Sequence, residues 1–381
     1  MQGVEEFRSE VRDWLAENLV GDFAALKGLG GPGRENEAFE ERRAWNQHLA
    51  QAGLTCLGWP VEHGGRGLSV AHRVAFYEEY AIANAPAKVN HFGEELLGPT
   101  LIAFGTPEQQ QRFLPRIVDV TELWSQGYSE PGAGSDLANV STTAVLDDDE
   151  WVINGQKVWT SLAHWAQWCF VVARSEKGSK RHAGLSYLLV PLDQPGVEVR
   201  PIVQLTGDSE FNEVFFDDAR TDADLVVGQP GDGWRVAMGT LTFERGVSTL
   251  GQQIVYAREL SAVVELAKST GAADDPLIRE RLTRSWAGLR AMRSYALATM
   301  DVEQPGQDNV SKLLWANWHR DLGEIAMDVQ GKAGLVLPGG EFDEWQRLYL
   351  FTRADTIYGG SNEIQRNIIA ERVLGLPREA R

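Results

Sequence analysis

Between Trp124 and Ser161 the chain reads WSQGYSEPGAGSDLANVSTTAVLDDDEWVINGQKVWTS, and the residues able to hold a ligand collect at two places in it. Ser129-Glu130-Pro131-Gly132-Ala133-Gly134-Ser135-Asp136 is a loop of small residues, whose glycines and hydroxyls let backbone N–H groups come close to an anionic or ring-shaped ligand. Trp159-Thr160-Ser161 sets a flat aromatic beside two hydroxyls, a combination that can stack on a conjugated ring and hydrogen-bond its polar edge. An ordinary turn and a tryptophan in a strand core account for the same residues, so pattern alone leaves both readings open. Glu150 to Ser161 alternates as a strand, with Asn154-Gly155 predicting a tight turn that makes the segment a hairpin.

The elements that must position these residues fall into three segments. Residues 1–122 read as helices. Val4, Phe7, Val11, Trp14 and Leu15 recur at helical spacing; further helices are expected over 39–52 and 72–85, and one opens at Thr106 with Pro107 in its first turn. Gly28 to Gly33 reads as a mobile surface connection, and Asn90 and His91 as either a satisfied core pair or a substrate contact. Residues 123–232 change to short alternating runs, with strands expected at 168–173, 185–191, 197–203 and 213–216. Beyond Gly228 to Gly233, a cluster of turn residues, long helical patterns return over 233–381, with breaks at 271–276 and 303–308. The predicted fold is α+β and multidomain.

Composition excludes several classes. In 381 residues with 43% hydrophobic side chains there is enough apolar material for a substantial core, and no run is long enough to span a bilayer. The N-terminal stretch lacks a basic region followed by an apolar one, so a cytoplasmic location is expected. Net charge of −18 opposes binding to nucleic acid or an anionic membrane. Cys56 and Cys169 read as buried hydrophobes, with no metal-ligand spacing.

The SEPGAGSD loop, the NGQKVWTS segment and TIYGGSNEIQR near the C-terminus together resemble the flavin-binding signature of the acyl-CoA dehydrogenase family, most nearly the actinobacterial enzymes of steroid catabolism. The resemblance spans essentially the whole chain. It implies an N-terminal helical domain, a middle β-barrel-like domain and a C-terminal helical bundle. It also implies FAD as cofactor, an acyl-CoA substrate converted to a trans-2-enoyl-CoA, and an electron acceptor such as electron-transfer flavoprotein. Carried over by motif, Gln126, Tyr128, Ser129, Gly134, Ser135, Trp159, Thr160, Ser161, Gly360 and Ser361 are expected to contact the flavin, and Ser135, Arg245 and Gly359 the substrate.

Two departures from the family pattern matter. The glutamate that usually follows the signature tyrosine and removes the substrate's α-proton is here Gly359; some relatives carry it instead just before an arginine on the first long bundle helix, where this chain has Glu244-Arg245. Glu244 is therefore the expected base, with Gly239 and Gly246 turned toward close packing on another face of the helix. The arginine and glutamine that bind the adenine half of a neighbour's FAD are absent, Asp328 and Gly331-Lys332 standing at the second of these places. The resemblance then implies a heteromer, two copies each of this chain and a related partner. A flavin monooxygenase on the same fold and a non-catalytic partner subunit are the alternatives.

Overall fold

The computed structural model describes residues 2–243, 248–299 and 305–377. Two compact units are formed: Asn18–Ser69 with Ala85–Arg245, and Met1–Glu17 with Val70–Asn84 and Gly246–Arg381. Helices α1 (Val4–Asn18), α2 (Phe39–Gln51), α3 (Val70–Ile82), α4 (Gly98–Phe104) and α5 (Pro107–Val118) precede seven strands. The strands are β1 (Trp124–Gly127), β2 (Thr143–Asp147), β3 (Glu150–Ser161), β4 (Trp168–Arg174), β5 (Leu185–Pro191), β6 (Val197–Ile202) and β7 (Phe211–Asp222). After them come α6 (Gly233–Phe243), α7 (Ser248–Thr270), α8 (Pro276–Thr299), α9 (Gln307–Gln330), α10 (Glu344–Asp355) and α11 (Asn362–Ile368).

The first unit is a mixed sheet in the order β1-β4-β2-β3-β7-β6, with β5 against β4. Period-two alternation divides its core: Cys169, Val171 and Ala173 of β4 join Ala144, Ile153, Val214 and Phe216 on one face. Phe170 and Val172 join Leu97, Phe113 and Val236 of the helical side on the other. Thr106 caps α5 in a reciprocal capping box with Gln109, as its sequence predicts. Gly239 is needed for close approach, since a Cβ there would lie 2.5 Å from the Phe104 ring.

Two expectations are corrected. Asn154-Gly155 is not a hairpin turn: β3 runs unbroken through it, the turn lies at Asp148-Asp149, and Gly155 marks a register shift against β7. A Cβ at Gly155 would come 2.5 Å from Thr142 Oγ1, so the glycine answers a close strand approach. Gly28 to Gly33 is an anchored connection, because Leu29 O accepts Ala87 N–H (3.0 Å), Gly30 N–H donates to Glu37 Oε2 (3.0 Å) and Gly33 N–H donates to Glu210 Oε2 (2.9 Å), while the fully buried guanidinium of Arg42 packs against Gly30.

In the other unit the first helix buries Phe7, Val11 and Leu15. Arg8 and Arg12 reach Glu79, and Arg8 and Arg293 reach Glu78. The core there is Tyr256, Leu260, Val263, Leu289, Trp318, Leu322 and Ile325, at the helical spacing of α7, α8 and α9.

Burial pushes the Glu210 carboxyl up to about 8, with the charge of Glu35 adding to it against the Gly33 N–H. A carboxyl raised on folding gives stability that is lost as pH climbs from its unfolded value toward 8. Glu210→Gln is therefore expected to stabilise the protein by about 2 kcal/mol at pH 8.5 and to leave it nearly unchanged at pH 5, measured by urea denaturation.

Candidate functional site

The glycine-rich loop and the end of β3 are joined by a buried charge. Lys157, with no exposed surface, donates to Glu130 Oε1 (2.8 Å), Tyr128 O (3.1 Å) and Val172 O (2.7 Å). The second oxygen of Glu130 takes Ser141 N–H and Oγ, both at 2.7 Å, and Oε1 also takes Thr142 N–H at 2.9 Å. Burial alone would raise the Glu130 carboxyl, but Lys157 and these donors outweigh it and hold it at about 2. Burial pulls the Lys157 ammonium down against the pull of Glu130; three oxygen acceptors around one nitrogen require the charged form. Sequence reasoning missed this pair. Its signal was a lysine inside a strand and a glutamate inside a loop of small residues.

Lys157 stands at a second irregularity of β3. The register with β7 shifts between Lys157 and Thr160, and Trp159, the residue displaced by this bulge, takes φ +59° with 57% of its surface exposed. A tryptophan held left-handed with its ring in solvent is strained and uncovered at once, which a core role does not explain. Phe211 meets it edge to face at 6.1 Å. Beside it Thr160 is fully buried, and its Oγ1 has no hydrogen-bond partner. On β1, Gln126 Nε2 is likewise buried and unpartnered. The loop that follows β1 meets β3 through Val158 N–H donating to Ser129 O at 2.9 Å. Tyr128 is buried, Ser129 and Ser161 are half-buried, and Gly134 and Ser135 are exposed. A Cβ at Gly132 or Gly134 would meet nothing within 4 Å, so the loop is open on that side.

The structure thus brings Gln126, Tyr128, Ser129, Trp159, Thr160 and Ser161 together in one unit. Gly359, Gly360 and Ser361 belong to the other unit. There Gly359 and Gly360 take φ +61° and +88°, and Ser361 Oγ accepts Ile364 N–H at 3.4 Å as the expected cap of α11. Glu244, Arg245 and Gly246 lie outside the described residues. Asn90 donates to Ile117 O at 2.8 Å in the core. Asp328 pairs with Arg281, so its charge is already matched. Both thiols are buried, and burial pushes Cys169 up to about 12. Among the described residues no helix is long and apolar enough to cross a membrane.

The buried donor of Gln126, the hydroxyl of Thr160 and the uncovered face of Trp159 fit a flat heteroaromatic ring with polar edge atoms.

Comparison with known proteins identifies the family. Family models of the N-terminal, middle and C-terminal domains of acyl-CoA dehydrogenases match residues 2–121, 125–219 and 231–374. The chain is 87% identical to the acyl-CoA dehydrogenase IpdE1 of Mycolicibacterium smegmatis over 388 positions, covering 99% of each. It is 85% identical to the protein of the same name from Mycobacterium tuberculosis over 384 positions, covering 100% of each. Among solved structures it resembles the Tcur3481-Tcur3483 steroid ACAD (TM-score 0.84, 30% identity, 99% and 98% coverage). The ChsE4-ChsE5 complex of Mycobacterium tuberculosis gives a TM-score of 0.82 at 30% identity, with 99% and 98% coverage.

The buried pair makes an ordered prediction. Glu130→Gln leaves an ammonium buried without its counter-charge and is expected to cost about 3–5 kcal/mol. Lys157→Met, which leaves Glu130 its Ser141 and Thr142 donors, is expected to cost less, and the double variant to recover part of the loss, all by urea denaturation.

Proposed function

The chain belongs to the acyl-CoA dehydrogenase family and is an oxidoreductase, and on that premise we propose that it performs FAD-dependent α,β-dehydrogenation of a ring-bearing acyl-CoA thioester, as the catalytic subunit of a heteromer. The observation that carries the reading is the set of Gln126 Nε2, Thr160 Oγ1 and Trp159, two buried polar atoms without partners beside an uncovered aromatic face. FAD bound there supplies the acceptor for the β-hydrogen as hydride.

Within this reading the chain's residues divide the work. Gln126, Tyr128, Ser129, Thr160 and Ser161 satisfy the ring's polar edge, Trp159 covers a face, and Gly134, Ser135, Gly360 and Ser361 lie along the rest of the cofactor. Ser135, Arg245 and Gly359 meet the substrate. Glu244 takes the α-proton, and the sequence leaves the usual position no means of doing so, since Gly359 has no side chain. At φ +61° any side chain there would be strained by about 1 kcal/mol, whereas the glycine keeps its N–H to polarise the thioester carbonyl. Gly359, where a Cβ would meet nothing closer than Lys312 at 3.8 Å, carries no side chain to fill the acyl site, and the steroid enzyme among the structural neighbours supports a bulky acyl group.

A related partner chain completes the cofactor site. The support for a partner is the missing arginine and glutamine together with the two-chain names of the neighbours. We assign the three segments 1–122, 123–232 and 233–381 to the family's three domains, the protein to the cytoplasm, and electron-transfer flavoprotein as the acceptor.

Glu244→Gln in the flavin-loaded complex is expected to keep the flavin spectrum and lose enoyl-CoA formation from ring-bearing thioesters by at least about a thousandfold. Near-normal turnover of the variant would remove the assignment. The chain purified alone is expected to hold little flavin, and the complex about one FAD per two chains; full occupancy and activity without a second polypeptide would remove the partner.

A further inference from the structure

In the helical unit, a chain of buried polar groups on α9 ends at the double-glycine turn. Asn309, Lys312 and His319 are buried on α9 at spacings that share one helix face. His319 Nδ1 lies 2.7 Å from Asp355 Oδ2 and Nε2 lies 3.0 Å from Glu259 Oε2. Asp355, at the end of α10, accepts the Tyr358 hydroxyl on its other oxygen at 2.7 Å, and its backbone carbonyl takes Lys312 Nζ at 2.6 Å. Lys312 also sits 4.4 Å from the centre of the Tyr358 ring and 4.0 Å from that of Trp315. From the far side, Gln365 Nε2 donates to the carbonyls of Gly359 (2.9 Å) and Gly360 (3.3 Å), and Asn309 holds the Gln365 amide oxygen.

Nothing in the proposed chemistry consumes this histidine. Both ring nitrogens face carboxylates, which accept and do not donate, so both bonds form only when the imidazole carries two protons. Burial alone would lower its pKa, but the bonds to Asp355 and Glu259 and their charges outweigh burial and raise it to about 9. The groups facing it are Glu259 and Tyr256 from α7, Asp355 from α10, and beyond Asp355 the Tyr358 hydroxyl and the Lys312 ammonium. The Tyr256 ring lies 4.4 Å away, its phenol pushed up by burial and neutral.

We propose that His319 is a positioning residue for the dehydrogenation: as an imidazolium it fixes Asp355, and through the Tyr358 hydroxyl it holds the Gly359-Gly360 turn in the conformation that offers the Gly359 N–H to the thioester carbonyl. This rests on the reading of that turn as part of the substrate site. When His319 loses its charge one ring nitrogen becomes an acceptor facing a carboxylate, so Asp355 loses the cation that fixes it and, where the proton leaves Nδ1, its donor as well, and the Tyr358 link to the turn is loosened. The turn's geometry is thus tied to a proton held away from the reacting atoms.

The test uses the flavin-loaded complex with His319→Gln and Tyr358→Phe. His319→Gln is expected to lower kcat about tenfold at pH 7.5 with KM changed less than about twofold, because a displaced oxyanion donor weakens transition-state binding above all. In the wild-type protein kcat falls as pH rises through about 9, and in the variant that limb is absent. Tyr358→Phe cuts only the link to the turn and is expected to remove the same limb while leaving Tm within a few degrees, which keeps the test alive if the histidine variant does not fold. Hydrogen exchange of residues 356–362, corrected for intrinsic rates, is expected to quicken about tenfold in both variants. Wild-type kcat in both variants, or a lowered kcat with the limb near pH 9 intact, overturns the proposal. If the wild-type complex forms no enoyl thioester, the proposed function fails, and exchange decides the positioning link: unchanged protection in both variants rejects it.

Discussion

The ammonium of Lys157 is the constraint on which the candidate site depends. A charge with no exposed surface needs several oxygen acceptors at once, and it finds them in the Tyr128 carbonyl, the Val172 carbonyl and Glu130. These belong to the end of β1, to β4 and to the glycine-rich loop, so satisfying one cation aligns three backbone segments. Glu130 in turn holds the chain at Ser141 and Thr142, where it re-enters the sheet. A loop with open space at Gly132 and Gly134 would otherwise have little to hold it. Its order comes from a pair beneath it, which leaves its upper face free for a ligand.

The same division between a buried anchor and a free backbone recurs in the helical unit. Consecutive left-handed glycines at 359 and 360 form a turn with no side chain of its own, and α9 supplies the contacts through Lys312, His319 and Asn309. In both units buried polar groups fix the backbone, and the proposed ligand contacts are N–H groups, hydroxyls and one strained tryptophan. Such a design favours positioning over flexible side-chain chemistry, as expected where catalysis requires donors already in place when charge develops on a thioester oxygen.

Much of this was legible in the sequence. Periodicity located α1, α5 and the strands expected at 168–173 and 185–191, since each combines a clear apolar period with an end signal such as Thr106-Pro107. The three motifs were legible as a family signature through their order and spacing, whereas the residues taken singly left an ordinary turn and a strand-core tryptophan open. The Asn154-Gly155 turn was misread for a physical reason: glycine there answers the proximity of Thr142, and one-dimensional pattern does not distinguish a close approach from a reversal. The anchoring of the Gly28 to Gly33 connection was invisible because its own contributions are backbone N–H and C=O groups, which every residue has, and the Glu210 carboxyl that takes Gly33 N–H is distant in sequence. Lys157, Glu130 and His319 escaped for a related reason, since a buried charge is recognisable only with its partner, and the pairs are separated by 27 residues in one case and 36 in the other.

The central claim is that Gln126, Thr160 and Trp159 hold the flavin ring. An experimental structure of the FAD-loaded complex tests it most directly. The account predicts the ring against the Trp159 face, with Gln126 Nε2 and Thr160 Oγ1 both in hydrogen-bond contact with its polar edge. A ring held elsewhere, with Trp159 still in solvent and those two atoms still without partners, would contradict it.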